Sequence, residues 1–532
     1  MSITRPAIRH ERRWPVELAG LVGASAIAIT VIVHLISTSR AWIVYYDGDS
    51  LVNTLIWKSL VDGQPQHWAM SSVLFVPEFA LYATLSFLGL SVKATLTLNA
   101  IVNLLALYAA IRFVASTGRG QRWDVAASIG AFGIFGILAM LDSSTNRESF
   151  ELPSLMATTT YYSATVIGVL VAIGLVRRLC DRGHLTARRR EVIALFAVAT
   201  VSTFTNPIFV AWAVAPLVLL LLALWRGRIV RVGALAAAGL SLALGVGAGV
   251  ALRLPFAALI SDSGVNYVEP GRLEGSLSYY GRLIAERAQT VDGACSLAVA
   301  GVLIAISVAA SVIAVRRRWV AGSIVSSAAW VVPVVVSVGA VLLGTEATRY
   351  LEPVFFAPIL VVTVLPGLLS PRRLRIPRPL RIGRRLRIGR PKRFVAGAAV
   401  IAAVVASGVV GIPRLVTESE SVDPAVQCVD NWVTASHLTG AGQYWTIRAP
   451  KAYLEDPRQL VQVDAALGPY TWLVNRADYT NARVSFLVVN TTQPLKLPDR
   501  QAQQTPHTTF SCGRYTIVDY ASATLTLGPP SI

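Results

Sequence analysis

A chain of 532 residues, 54% hydrophobic and 14% charged, with a mean hydropathy of +0.57, carries more apolar surface than a soluble fold can bury and reads as a polytopic membrane protein. Its formal net charge of +19 would suit a nucleic-acid partner. The arginines fall in short loops between apolar runs, however, which is the positive-inside pattern of a membrane chain, so nucleic acid is excluded. Neither a Walker motif nor a Rossmann fingerprint is present, which leaves ATP-driven transport without support.

Residues 1–14 form a basic cytoplasmic N-terminus. The first apolar run, 16–36, is too long for a signal-peptide core and has no small-residue cleavage site after it, so it is read as a retained anchor. Basic clusters at 5–13, 119–122, 177–190, 226–231, 316–318 and 372–393 mark the cytoplasmic side. Three apolar segments (16–36, 72–90 and 92–114) lie between the first two clusters. A chain that starts and ends inside must cross an even number of times, so one of the three does not cross. Segment 72–90 holds Pro77 and Glu78 and has almost no polar loop behind it. It is taken as the non-crossing one, which makes residues 37–91 a long first outer loop.

Further spans are expected near 126–141, 161–176, 192–204, 208–225, 232–252, 296–315, 320–343, 354–369 and 394–410, for about eleven crossings in all. Asn206-Pro207 turns the chain between two of them. Gly245-Val246-Gly247-Ala248-Gly249 lies inside a span and reads as close helix packing. The arginine-rich repeat at 372–393 is read as fixing topology, in preference to gripping anionic headgroups at about 1 kcal/mol per basic residue. The transmembrane part thus occupies 15–412. Residues 413–532, about 120 of them, suit one small extracytoplasmic domain of mixed α/β type, with strand-like runs at 443–448, 460–464, 470–475, 484–490 and 515–520.

Of the four cysteines, Cys428 and Cys512 both fall in that domain. A disulfide between them fits an extracytoplasmic compartment, and two unpaired core thiols fit the sequence equally well. The histidines, His34 and His67 included, show no metal-ligand spacing.

The most informative local feature is Tyr45-Tyr46-Asp47-Gly48-Asp49-Ser50 in the first outer loop. Carboxylates at a membrane edge are expensive to hold and mark a functional site by default, against the plainer reading of an Asp-Gly turn. The loop continues Leu60-Val61-Asp62-Gly63-Gln64-Pro65 and ends Phe87-Leu88-Gly89-Leu90-Ser91, before a span holding Leu98-Asn99-Ala100. Late in the chain stands Thr348-Arg349-Tyr350-Leu351-Glu352-Pro353. This order of elements resembles the GT-C superfamily of integral-membrane glycosyltransferases, and the late motif is similar to the Arg-Tyr-Leu-x-Pro that opens a late span in several of its families. Two departures stand out: Gly48 separates acids that are adjacent in most relatives, and Gln66-His67-Trp68 stands where some have His-Pro-Pro.

The resemblance implies an α-helical membrane fold and transfer of a sugar from a polyprenyl phosphate to a glycan, lipid or protein acceptor at the outer face of the plasma membrane. An acceptor hydroxyl needs a carboxylate as general base, and the departing phosphate needs a cation. Asp47 is expected as the base and Asp49 as its acceptor-positioning partner. Arg349 with Tyr350, and Arg282, are expected at the donor phosphate. Glu148 and Glu151 form a second acidic loop with Asp142, Asn146 and Arg147, and His67 lies at the acceptor side. Two hard oxygen donors, Asp47 and Asp49, suit a divalent Mg or Mn ion, although metal-independent relatives point away from one. The competing readings are a secondary transporter or lipid flippase, disfavoured by spans almost free of charge, and a non-catalytic assembly protein.

Overall fold

The computed structural model describes residues 14–116, 118, 120–181, 189–261, 269–369, 407–490, 506–521 and 524–531. Eight helical segments are long and apolar enough to cross a membrane: α1 (Trp14–Ile36), α4 (Val92–Val114), α5 (Gln121–Met140), α6 (Ser163–Asp181), α9 (Val232–Arg253, continued by a 3-10 turn), α11 (Val291–Arg316), α12 (Val320–Leu342) and α13 (Thr348–Leu368). Between them stand α7 (Arg189–Thr205) and α8 (Ala215–Arg226), which follows a π-turn at Val210–Val214. Residues 394–406 of the expected last span, and the repeat at 372–393, lie outside the described residues.

The segment singled out as non-crossing contains α3 (Val76–Ser86). At 1.5 Å per residue, its 11 residues span roughly 16 Å, about half of a hydrocarbon core. The rest of loop 37–91 is equally short-ranged, with a turn of helix at Ala41–Tyr45, α2 (Val52–Val61) and a two-residue strand β1 (Trp68–Ala69). Ser91 caps α4 by accepting from the Ala94 amide at 3.2 Å. The chain turns at Asn206-Pro207 as expected, and Asn206 secures the corner by donating to Thr165 Oγ1 at 3.2 Å. The glycine stripe of α9 lies against α7, where a Cβ at Gly245 would stand 2.6 Å from Ala199 Cβ and one at Gly249 2.7 Å from the Thr200 carbonyl. Only glycine lets these two backbones come so close.

The C-terminal region holds a five-stranded mixed sheet in the order β3-β2-β5-β7-β6: β2 (Thr439–Gln443), β3 (Leu460–Val463), β5 (Val484–Asn490), β6 (Thr508–Cys512) and β7 (Tyr515–Asp519). β2 runs parallel to β3 and β5, and β7 pairs antiparallel with β5 and β6. The run 443–448 is not the expected strand. It opens α16 (Tyr444–Tyr453), which follows α14 (Ile412–Glu420) and α15 (Pro424–Ser436). Tyr444-Trp445-Thr446-Ile447 has strand-like composition, but most of this helix is buried between the sheet and loop 37–91, and tertiary packing overrides such local preferences. Only Val474–Asn475 of the run 470–475 is strand. This is β4, which pairs with β1 and so stitches the C-terminal region to loop 37–91. Cys428 and Cys512 are bonded, with Cα atoms 5.4 Å apart, and tie α15 to β6.

Candidate active site

The acidic knot is built by local hydrogen bonding. Asp47 Oδ2 accepts from the amides of Asp49 and Ser50, each at 3.2 Å, which is the Asx-type turn that short acidic side chains favour. Ser50 Oγ donates to the Ile43 carbonyl at 2.7 Å, and α2 starts directly afterwards. Asp47 is 4% exposed. Tyr161, at the head of α6, donates its hydroxyl to Asp47 Oδ2 at 2.9 Å and lies 3.5 Å from Asp49 Oδ2. Burial, then the neighbouring charge of Asp49, pushes the Asp47 carboxyl up to about 6.

Gly48 explains itself here. A Cβ would meet Tyr444 Cε1 at 2.9 Å and the Trp445 ring at 3.1 Å, so the glycine between the two acids is what lets α16 close over the knot. Tyr444 then donates to Asp49 Oδ1 at 2.6 Å. Arg448 adds Nη1 to the Leu473 carbonyl at 2.6 Å and Nε to the Gly48 carbonyl at 3.3 Å. Tyr453 donates to the Tyr45 carbonyl at 2.8 Å.

Asp49 lines a pocket of about 160 Å³, together with Arg147, Glu148, Tyr161, Tyr162, Arg349, Tyr350, Trp445 and Trp472. Arg349 donates Nε to Tyr162 OH at 3.0 Å and stands 3.7 Å from Glu148. Arg147 lies 3.3 Å above the Trp445 ring, a cation–π contact that holds a guanidinium flat at the pocket wall. Glu148 is itself held by the Tyr279 hydroxyl at 3.2 Å. A second cavity, of about 480 Å³, shares Ser72, Val73, Tyr162 and Tyr350 with the pocket and continues between the turn that precedes α8 and the C-terminal end of α12, past Trp212, Val336 and Leu343. The site therefore joins two carboxylates, two guanidiniums and an apolar groove.

Asp49, Glu148, Arg349 and Tyr350 line one pocket, with Asp47 directly behind Asp49. Three other expected residues are elsewhere. Arg282 is exposed on α10 (Leu273–Ala288) and faces Glu286 at 3.8 Å. His67 is exposed; its amide is bound to Asn475 Oδ1 at 3.2 Å and its carbonyl to the Arg476 amide at 3.0 Å, so it serves the β1–β4 seam. Glu151 is buried in an ionic clamp: Oε2 accepts from the Ser143 and Ser144 amides at 2.7 Å, and Oε1 faces Arg287 Nη1. Arg287 also reaches Asp142 Oδ1 at 3.0 Å, and Arg40 donates to Ser154 Oγ and the Ser144 and Glu151 carbonyls at 2.6–2.7 Å. The clamp fixes the loop that presents Arg147 and Glu148. Tyr161, Tyr162, Tyr444 and Trp445 were not singled out from the sequence. The first two follow directly from the tyrosine pair at the start of a span, whereas nothing local marks the last two.

For a divalent metal, Asp49 is the one of the two aspartates that lines the pocket, although Tyr444 already donates to its Oδ1. Among the described residues, no three His, Cys, Asp or Glu side chains gather as a ligand set. An ion there would complete its shell with substrate oxygens and water.

This fold is shared with solved structures of another protein. The chain is similar to ArnT from Cupriavidus metallidurans, both bound to undecaprenyl phosphate (TM-score 0.52, 13% identity) and in the apo state (TM-score 0.53, 15% identity), over 93% of this chain and 97% of that one in each case. A lower similarity, TM-score 0.43 at 9% identity, over 90% of this chain and 70% of that one, is to the archaeal oligosaccharyltransferase AglB from Archaeoglobus fulgidus. No protein-family model and no curated protein sequence matches the chain.

Proposed function

We propose that this chain is an inverting glycosyltransferase that moves a sugar from a polyprenyl-phosphate donor to a glycan, lipid or protein acceptor on the outer face of the plasma membrane, with its N-terminus inside and residues 413–532 outside. The observation that carries this reading is the meeting of Asp49, Arg147 and Arg349 in one pocket at the end of an apolar groove. The groove suits an isoprenoid chain, and the guanidiniums suit the phosphate at its head. The ArnT structure at hand holds such a lipid, undecaprenyl phosphate.

Asp49 takes the acceptor proton, because it lines the pocket while Asp47 is enclosed. The acceptor oxygen attacks the anomeric carbon, the bond to the phosphate oxygen breaks with its electron pair, and Arg349 and Arg147 stabilise the charge that grows there. Tyr161 and Asp47 orient Asp49 from behind, Tyr444 from above. Glycan analysis of a deletion strain tests the reading. One extracytoplasmic sugar should be missing, restored by the wild-type gene and not by Asp49→Asn. An unchanged set of envelope glycans would contradict it.

A further inference from the structure

A third cavity, of about 440 Å³, opens between α3, α4, α6 and α7 and shares no lining residue with the pocket or the donor groove. Its walls are mostly apolar. On its α7 side, within the span expected at 192–204, Ala197 and Val201 are exposed, as are Ile193 and Phe196 beside them, so the cavity opens through an apolar helix face, which suits entry from the bilayer.

Glu78 lines this cavity and is 4% exposed. Its Oε1 accepts from the Ala164 amide at 3.3 Å, while its Oε2 has no partner, and neither has Oγ1 of Thr205, another lining residue. Burial raises the Glu78 carboxyl to about 7, and no lysine or arginine lines the cavity. Buried polar atoms left without partners are costly and rare. A phosphate would find no positive charge here, and a purely apolar chain would leave both oxygens unsatisfied. A hydroxyl fits, since it can donate to the carboxyl oxygen and accept in return.

We propose that this cleft is a second lipid site, distinct from the donor groove, that takes a neutral lipid with a free hydroxyl head. The position gives such a lipid a purpose. Phe75 adopts a left-handed conformation, φ 50°, and bends the chain between the two sites: Ser71, Ser72, Val73 and Phe75 line the catalytic pocket, Pro77 and Glu78 the cleft. Across the gap, Tyr161 and Tyr162 line the pocket and Ser163 and Ala164 the cleft. A lipid seated here buttresses both segments that form one wall of the active site.

The test is native mass spectrometry of the full chain in detergent, titrated with dioleoylglycerol, with a free polyprenol, with acetylated dioleoylglycerol and with undecaprenyl phosphate. The wild type should retain one of the two free-hydroxyl lipids about tenfold more tightly than the acetylated one, and whichever it is names the source. Ala197→Trp, which blocks the cleft from the lipid side, and Glu78→Leu should both lose that binding and keep undecaprenyl phosphate. Equal retention of free and acetylated lipid by the wild type would overturn the proposal, and that comparison needs no variant to fold. Loss of undecaprenyl phosphate from Ala197→Trp would overturn it too, by making the cleft the donor groove.

Discussion

Asp47 and Asp49 differ in depth: Asp47 is buried and Asp49 lines the pocket. Asp47 is enclosed and raised to about 6, so the folded protein keeps a proton there that the unfolded chain gives up near pH 4. Stability therefore falls as pH rises from about 4 through about 6, by on the order of 1–3 kcal/mol once the group is ionised. Asn at this position keeps an oxygen for the two amides and Tyr161 without the buried charge. Asp47→Asn should consequently melt higher than the wild type at pH 8 and close to it at pH 4. Equal shifts at both pH values would show that burial of the charge is not what that site costs. The sequence was legible here to a useful degree. Asp47, Asp49 and Arg349 stood out because short acidic motifs and boundary arginines carry their chemistry locally. Their order of depth did not, because Tyr161 and α16 set it from far along the chain.

At the scale of elements, α3 and the ionic clamp show what pattern can and cannot reveal. Parity of the basic clusters singled out 72–90 as the segment that does not cross, since charge asymmetry is a property of the chain alone, and the helix inside it is only 11 residues long. Glu151 looked like a second active-site acid by position, yet its partners Arg40 and Arg287 are 111 and 136 residues away, a pairing no local pattern contains. Arg287→Ala would strand Asp142 and Glu151, both buried, with one cation fewer. A loss of about 3–5 kcal/mol is expected, read as a large drop in melting temperature in detergent, and Arg287→Lys should recover part of it. A melting temperature unchanged in Arg287→Ala would show that the clamp does not hold the loop. The strand expected at 443–448 failed for a related reason: Tyr, Trp, Thr and Ile favour strands, but here they serve a helix wedged between two layers.

For the whole molecule, the membrane helices supply the groove and the C-terminal region supplies the roof. Loop 37–91 is the hinge of this arrangement, tied upward by β1–β4, by Lys58 Nζ on the Leu454 carbonyl at 2.5 Å and by the tyrosines of α16. The Cys428–Cys512 bond closes a sequence separation of 84 residues, and losing it should destabilise the roof by roughly 2–4 kcal/mol. Limited proteolysis of a Cys428→Ser, Cys512→Ser double variant should cut within 413–532 faster than in the wild type, and an unchanged rate would show the sheet to be self-sufficient. The joint claim of groove, cations and roof is that a lipid-phosphate sugar is held beneath Asp49 and loses its sugar to a hydroxyl that Asp49 deprotonates. The direct measurement is sugar transfer from radiolabelled polyprenyl-phosphate donors in membranes containing wild type or Asp49→Asn, with donor binding measured in parallel. The variant should bind donor as the wild type does and transfer at least about a hundredfold less; transfer at the wild-type rate would contradict the account.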